Sequence, residues 1–290
     1  MEASVVALLE LMELQSQGEG VFVGPPAQDG RSRVFGGQLL GQALAAASLT
    51  TEPDWLCHSL HAYFLRPGKP GRPIDYEVSS MRDGRRMATR KVVGLQRDEV
   101  TFELTASFER DIPGPEHQAP MLDVPPPESS PPEAERMAQL RAMASPEQLR
   151  QLERTLPIEF IWPEIQGWKP PTDASATFCS WMRVRDRLPD DPNLHQVLLA
   201  YASDMGALKP ALTSVGYSTT DETLLLASLD HALWFHRPFR IDEWLLFTFS
   251  SVSVSSGRGL SRGVVHTRDG RHVASLTQEA IMRPRDASEE

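Results

Sequence analysis

The chain of 290 residues holds only two cysteines, Cys57 and Cys179. Two are too few for a disulfide framework or a four-thiolate zinc site, so both read as buried structural thiols in a reducing compartment. No apolar run approaches the roughly 20 residues that a membrane-spanning helix needs. The stretch from Met1 to Gln17 has Glu2, Glu10 and Glu13 but no Lys or Arg, so it is not expected to be a secretory leader. Its apolar Val5, Leu8, Leu9 and Met12 fall at helical spacing instead. The terminal Ala287-Ser288-Glu289-Glu290 is no peroxisomal address. These absences lead to the expectation of a cytoplasmic protein with no membrane insertion. Positive charge is also scarce: 29 Lys and Arg face 39 Asp and Glu, for a formal charge of -10. Such an excess repels duplex nucleic acid, and no nucleic-acid partner is expected. His58, His61, His195, His236, His266 and His272 are scattered without metal-ligand spacing, so no metal is expected.

What remains is ordinary globular material, 40% apolar and 23% charged, long enough for two domains or one of double size. Proline marks a seam between Asp111 and Pro132, with eight prolines from Pro113 to Pro132. That segment reads as extended and without a core of its own. After it, Glu133 to Leu152 reads as a helix with Met137, Leu140, Met143 and Leu149 on one side and a possible restart at Ser145-Pro146. The expected organisation is therefore a first repeat over 1–111, a proline-rich linker and helix over 112–155, and a second repeat over 156–290.

The two outer parts repeat the same order of elements. In the first, a helix opens at Gly36-Gly37 and reaches about Ser48, and strands follow near Leu56 to Arg66, Ile74 to Met81, Met87 to Gln96 and Val100 to Arg110. In the second, a helix spans Leu194 to Leu208, with strands near Thr223 to Arg237, Trp244 to Ser255, Gly259 to Thr267 and Val273 to Arg283. Tyr63-Phe64-Leu65-Arg66-Pro67 matches Trp234-Phe235-His236-Arg237-Pro238 at an offset of 171, and Val92-Val93 matches Val264-Val265 at 172. One long helix followed by antiparallel strands predicts an α+β unit whose sheet wraps the helix, one copy per half. Pairing the two sheets side by side would bury their exposed edges.

Gly259-Leu260-Ser261-Arg262-Gly263 fits the G-x-S-x-G pattern of a nucleophile elbow. The elbow needs a helix after the serine, whereas Val264 to Thr267 continues as strand into a turn at Asp269-Gly270, so Ser261 is rejected as a nucleophile. Ser228, Asp230 and His231 contain the ingredients of a triad, but strand alternation sends His231 to the face opposite Ser228 and Asp230. His231 reads as a structural, hydrogen-bonded histidine. Asp204 ends the run Leu198-Leu199-Ala200-Tyr201-Ala202-Ser203 inside an otherwise core-like helix, where a carboxylate is costly without partners. A solvent-facing or capping role is the simpler reading from spacing alone. Gln278 is similarly a polar residue in a late strand, and by itself reads as a surface glutamine.

These residues, with the strand Ala227 to Phe239, carry a family resemblance. The chain resembles the TesB or type II family of acyl-CoA thioesterases, which are double hotdog proteins. The matching segments include Arg33-Val34-Phe35-Gly36-Gly37-Gln38, His58 to Gly68, Leu188-Pro189-Asp190-Asp191 through Ser203-Asp204, and Val273-Ala274-Ser275 through Gln278-Glu279. They cover both halves, and the linker takes no part. The resemblance implies a double hotdog fold, an acyl-CoA substrate, homo-oligomers, and a catalytic set of Asp, Ser or Thr, and Gln, falling here on Asp204, Ser228 and Gln278. Leu39 to Leu49 contains no equivalent Asp, which implies one site per chain with the first half as its wall.

Thioester hydrolysis suits such residues. The leaving thiolate has a conjugate acid pKa of about 8.5 by comparison with cysteine, so it departs with little acid help. The demand is for an aimed and activated water, with Asp204 as base and Ser228 and Gln278 completing its hydrogen bonds. No covalent intermediate and no cofactor is required. The oxyanion needs backbone N–H donors at a helix start, which points to Gly36 and Gly37. The CoA phosphates need local positive charge, which points to Arg85 and Arg86 in one basic cluster and Arg258 and Arg262 in another. Two other readings remain: a non-catalytic acyl-CoA binding module, and a hotdog enoyl-CoA hydratase. The hydratase would carry a His five residues after its Asp, where this chain has Lys209.

Overall fold

A computed structural model describes residues 1–27, 30–110, 113–143, 157–163, 176–218, 221 and 223–285. Strands β1 (Gln15–Gly18), β2 (Val21–Gly24), β3 (Leu56–Phe64), β4 (Ile74–Asp83), β5 (Met87–Gln96) and β6 (Glu99–Glu109) form the first half around helix α2 (Gly36–Ser48). Helix α1 (Ala3–Met12) buries Val5, Leu8 and Met12, the face read from sequence. Helix α3 (Glu133–Met143) follows the proline segment, and the reading of Ser145-Pro146 and Leu149 lies outside the described residues. The second half comprises β7 (Ile158–Ile161), β8 (Thr177–Val184), helix α4 (Pro192–Ser203), the short helix α5 (Lys209–Ser214), β9 (Leu224–Ser228), β10 (Asp230–Phe235), β11 (Leu245–Ser255), β12 (Arg258–Thr267) and β13 (His272–Pro284).

Strict alternation builds these sheets. Along β5 every second residue from Ala88 to Gln96 is buried, the period-2 pattern of a strand with one face on the core. The strands run in the order β1-β2-β4-β5-β6-β3-β10-β13-β12-β11-β8-β7, with β9 added beside β13. The two halves join where β3 pairs antiparallel with β10, from Tyr63 opposite Asp230 to Ser59 opposite Trp234. Two sheet edges are thereby closed against each other, as the repeat requires. The matched segments at offset 171 begin in the last two residues of these same two central strands. This is the double hotdog α+β fold.

Helices α2 and α4 pack together and antiparallel beneath the joined sheet. Their backbones approach closely: a Cβ on Gly37 would lie 2.2 Å from the Tyr201 carbonyl oxygen, and one on Gly41 would lie 3.3 Å from that of Val197. The glycines four residues apart thus let two helix backbones touch. The resulting core is continuous across the halves, with Leu40, Leu44, Leu60 and Phe102 from one and Leu198, Leu199, Phe247 and Leu276 from the other.

The proline segment departs from its coreless reading. Met121, Leu122 and Val124 cover an apolar patch of Ile161, Cys179, Trp181 and Leu246 on the second half. The Trp181 indole N–H donates to the Pro125 carbonyl at 2.9 Å, and Arg268 holds Glu128 at 2.7 and 2.8 Å. Proline alone predicts extension; the partner surface decides whether an extended segment docks.

Candidate active site

Helix α4 starts cleanly, with the Asp191 carboxylate accepting from the Asn193 N–H at 2.9 Å and Pro192 at the first helical position. It stops at Ser203 rather than running to Leu208. Gly206 takes a left-handed φ of +90° and the next helix begins at Lys209 with Pro210 in its first turn, so the chain turns just after Asp204. Asp204 is therefore the C-terminal cap. Negative charge is disfavoured at the end of its own helix, but the antiparallel packing sets Asp204 against the opposite, positive end of α2. There the Gly37 N–H donates to its Oδ2 at 3.1 Å.

Gln278 comes from β13, which places it on the inner face and wholly buried at 0% exposure. Its Nε2 lies 2.9 Å from Asp204 Oδ1 and 2.8 Å from Ser228 Oγ. Asp204, Ser228 and Gln278, distant in sequence, are thus brought into one hydrogen-bonded group. Gln278 is no surface residue, and its two amide hydrogens go to Asp204 and Ser228 themselves rather than being held free for water.

The strand alternation expected to separate Ser228 from His231 does not hold. The strand breaks at Leu229, whose N–H donates to the Glu279 carbonyl and whose carbonyl accepts from the Phe64 N–H, both at 2.9 Å. After that break His231 faces inward at 1% exposure, with Nδ1 2.6 Å from Gln278 Oε1 and Nε2 3.0 Å from Ser203 Oγ. Asp230 turns away and accepts the Glu279 N–H at 2.9 Å. No Ser-His-Asp triad forms, and the structural, hydrogen-bonded reading of His231 agrees with its partners. Burial holds its imidazole below the ordinary value, against the charges of Asp204 and Asp230, which raise it. Ser261 sits at 1% exposure in the middle of β12, with strand on both sides, which excludes an elbow.

The other assignments are redistributed. Gly37 spends its N–H on Asp204, which leaves Gly36 as the amide at the helix start; a Cβ on Gly36 would lie 2.7 Å from Asp204 Oδ2. Arg85 and Arg86 sit in the β4–β5 turn, next to Met87, which pairs with Glu109. That is the end of the sheet by the C-terminus of α2, where Arg90 binds Thr50, and α2 separates it from Asp204 by about 20 Å for 13 residues. Arg258 and Arg262 alternate with buried Gly259, Ser261 and Gly263, so they project from the outer face. There Arg258 pairs with Glu279 at 3.1 Å and Arg262 donates to Ser250 at 3.1 Å. The structure brings none of these four to the Asp204 group. Nearer to it, Arg33 and Arg72 border a surface groove with Phe35, Gln38 and Pro70. Sequence spacing held no signal for them, because the residues from 33 to 72 meet only through the β3–β4 loop.

Among the described residues no group of three or more His, Cys, Asp or Glu side chains is placed to hold a metal ion. Lys209, where a hydratase would place His, sets its Nζ 3.7 Å over the Phe178 ring. The chemistry left to the group is that of a carboxylate, a hydroxyl and a carboxamide.

Comparison with known proteins shows the family of the chain. Residues 172–281 match the pattern described as acyl-CoA thioesterase, and residues 24–109 match the acyl-CoA thioesterase N-terminal domain. The chain is 34% identical over 281 residues to acyl-CoA thioesterase 2 of Haemophilus influenzae, covering 95% of this chain and 96% of that one. It is 34% identical over 259 residues to mouse acyl-coenzyme A thioesterase 8, covering 87% and 80%. The crystal structure of acyl-CoA thioesterase II TesB2 from Mycobacterium marinum superposes with a TM-score of 0.79 at 35% identity, over 96% of this chain and 98% of that one. The chain belongs to the TesB-like acyl-CoA thioesterase family, and it is an enzyme that hydrolyses acyl-CoA thioesters to free CoA and a carboxylic acid.

Proposed function

We propose that hydrolysis proceeds by direct attack of a water activated by Asp204, with Ser228 and Gln278 holding the base and the water in line. The observation that carries this reading is the convergence of Gln278 Nε2 on Asp204 at 2.9 Å and Ser228 at 2.8 Å. Gln278 uses both amide hydrogens as donors. The Ser228 hydroxyl accepts one of them and keeps its own hydrogen for the water. The water donates one hydrogen to Asp204, accepts from Ser228, and presents its remaining lone pair to the thioester carbon. As the C–O bond forms, the water proton passes to Asp204. The carbonyl oxygen gains the negative charge and meets the Gly36 N–H at the positive end of α2. Collapse then breaks the C–S bond, and the thiolate, with a conjugate acid pKa of about 8.5 by comparison with cysteine, leaves unaided or takes the proton from Asp204.

The substrate's phosphates meet Arg33 and Arg72, which stand beside Phe35 at the start of α2 and so on the same side as Gly36. No cofactor enters this sequence, since the substrate brings its own CoA. The two free, buried thiols support a cytoplasmic location. The exposed Tyr63 and Leu65 at the end of β3 support a homo-oligomer of double hotdog chains.

The test is thiol release from short to long acyl-CoAs, with rapid quenching during turnover and intact-mass measurement of the enzyme. Direct water attack predicts release of CoA with no acyl adduct on the protein. An adduct on Asp204 or Ser228 would overturn the mechanism, and binding of acyl-CoA without release would make the chain a binding module.

A further inference from the structure

Resting on that reading, we infer that His231 is a positioning residue for the reaction: its Nδ1–H fixes the Gln278 amide in the one orientation that directs both amide hydrogens at Asp204 and Ser228.

Bonding capacity alone dictates this arrangement. A carboxylate only accepts, so the Gln278 atom 2.9 Å from Asp204 Oδ1 must be the amide nitrogen. The amide oxygen then faces His231 Nδ1 at 2.6 Å, and since a carboxamide oxygen only accepts, Nδ1 must carry the hydrogen. On the other side of the ring Nε2 lies 3.0 Å from Ser203 Oγ. The Ser203 hydroxyl, on the last residue of α4, donates its hydrogen to the Ala200 carbonyl at 2.8 Å. The donors therefore run from His231 Nδ1 to the Gln278 oxygen, and from the Gln278 nitrogen to Asp204 and Ser228.

The wrong amide orientation is strongly penalised. It would set the Gln278 oxygen against Asp204 Oδ1 and turn the amide nitrogen toward His231 Nδ1. Gln278 and His231 are both almost wholly buried, so no water compensates a mismatch and the cost of each unmade bond is full. Burial lowers the ring's pKa, and Asp204 and Asp230 are the charged groups acting against that. Ser203 is wholly buried as well, so the far end of the chain is as protected as the near one. Neither His231 nor Ser203 touches the reacting atoms. Their action is on where the Gln278 hydrogens point.

The test uses three His231 variants of the full chain in acyl-CoA hydrolysis, one of them repeated in a Gln278→Ala background. His231→Asn puts an amide N–H close to where Nδ1–H stands, whereas His231→Gln reaches the Ser203 side and His231→Leu fills the space without a donor. We expect kcat to fall roughly 10- to 100-fold in the Leu and Gln variants, the scale of a misplaced catalytic group, with KM within about threefold. The Asn variant should recover most of the loss. In a Gln278→Ala background His231→Leu should change kcat by less than about twofold, because the group it orients is gone; independent effects would multiply instead. Equal losses in Asn, Gln and Leu, or multiplicative losses in the double variant, would reduce His231 to a packing residue. The Asp204 reading is separate: full activity of Asp204→Asn sinks that reading, while full activity of His231→Leu in an enzyme that still depends on Asp204 sinks this one.

Discussion

The backbone N–H of Gly37 and the carboxylate of Asp204 meet at 3.1 Å although 167 residues separate them. The first belongs to the opening turn of α2 and the second caps the C-terminus of α4, so the carboxylate proposed as base, from one half, is seated on the helix of the other. The antiparallel pairing puts the positive end of one helix where the other would repel a negative charge, an effect of about 0.3–1 kcal/mol for an exposed pair and more when partly buried. A single hotdog half could not assemble this contact.

Gly36 should be intolerant of a side chain for a specific reason. A Cβ there would stand 2.7 Å from Asp204 Oδ2 and 3.1 Å from the Phe64 ring. Gly36→Ala is expected to lower kcat about 10- to 100-fold by displacing the carboxylate, with a circular dichroism spectrum like the wild type's. A variant that folds and turns over at the wild-type rate would show that the Asp204 carboxylate does not depend on the space left by this glycine.

Ser228 offers a test by size and chemistry together. Its Oγ accepts from Gln278 at 2.8 Å. Ser228→Ala loses that acceptor and the hydrogen offered to water, and its kcat should fall up to about tenfold, the usual worth of one neutral hydrogen bond. Ser228→Thr keeps the hydroxyl and should stay within a few-fold of wild type. A Thr variant as slow as the Ala variant would show that space, not the hydroxyl, matters here.

For the CoA phosphates, reversing charge at Arg33 and Arg72 should raise KM about tenfold or more at low salt, with the difference shrinking as salt is added and kcat little changed. The same reversal at Arg85 and Arg86, beyond the far end of α2, should leave KM unaltered. If the second pair moved KM and the first did not, the substrate would enter from the opposite end.

Much of this was legible in the residues, and the exceptions share a cause. Strands such as β5 showed themselves because alternation records one buried face, and the match of Tyr63-Phe64 to Trp234-Phe235 located the two strands that meet at the centre. Strands β1 and β7 are only four residues each, and every residue of β1 is exposed, so no period marks them. His231 was assigned to the wrong face because a one-residue interruption at Leu229 leaves no trace in composition. The helix end at Ser203 depended on Gly206, a signal weaker than the apolar run it cuts. Arginine placement was unreadable because spacing along a strand gives a face but not the face's distance from a helix end.

Acid should destabilise the protein through its histidines. His195, His231, His236, His266 and His272 are all held below the ordinary imidazole value, burial being the first cause, and His236 lies at about 4. In the unfolded chain these groups take up protons near pH 6.5. The unfolded state therefore binds more protons as pH falls, and stability present above about pH 6.5 is lost progressively toward pH 4. The urea midpoint should drop steadily from pH 7.5 through 6 to 5. A midpoint constant across that range would mean the folded chain admits imidazolium freely.

The most direct measurement is kcat and KM for acyl-CoA hydrolysis by Asp204→Asn beside the wild type, after both are shown to be folded. Asn keeps the shape of the side chain but cannot take the water's proton. Loss of a general base predicts a fall in kcat of about 10²-fold or more with KM nearly unchanged. Equal rates in the two proteins would contradict the account, since Asp204 would then hold the site's shape without activating the water.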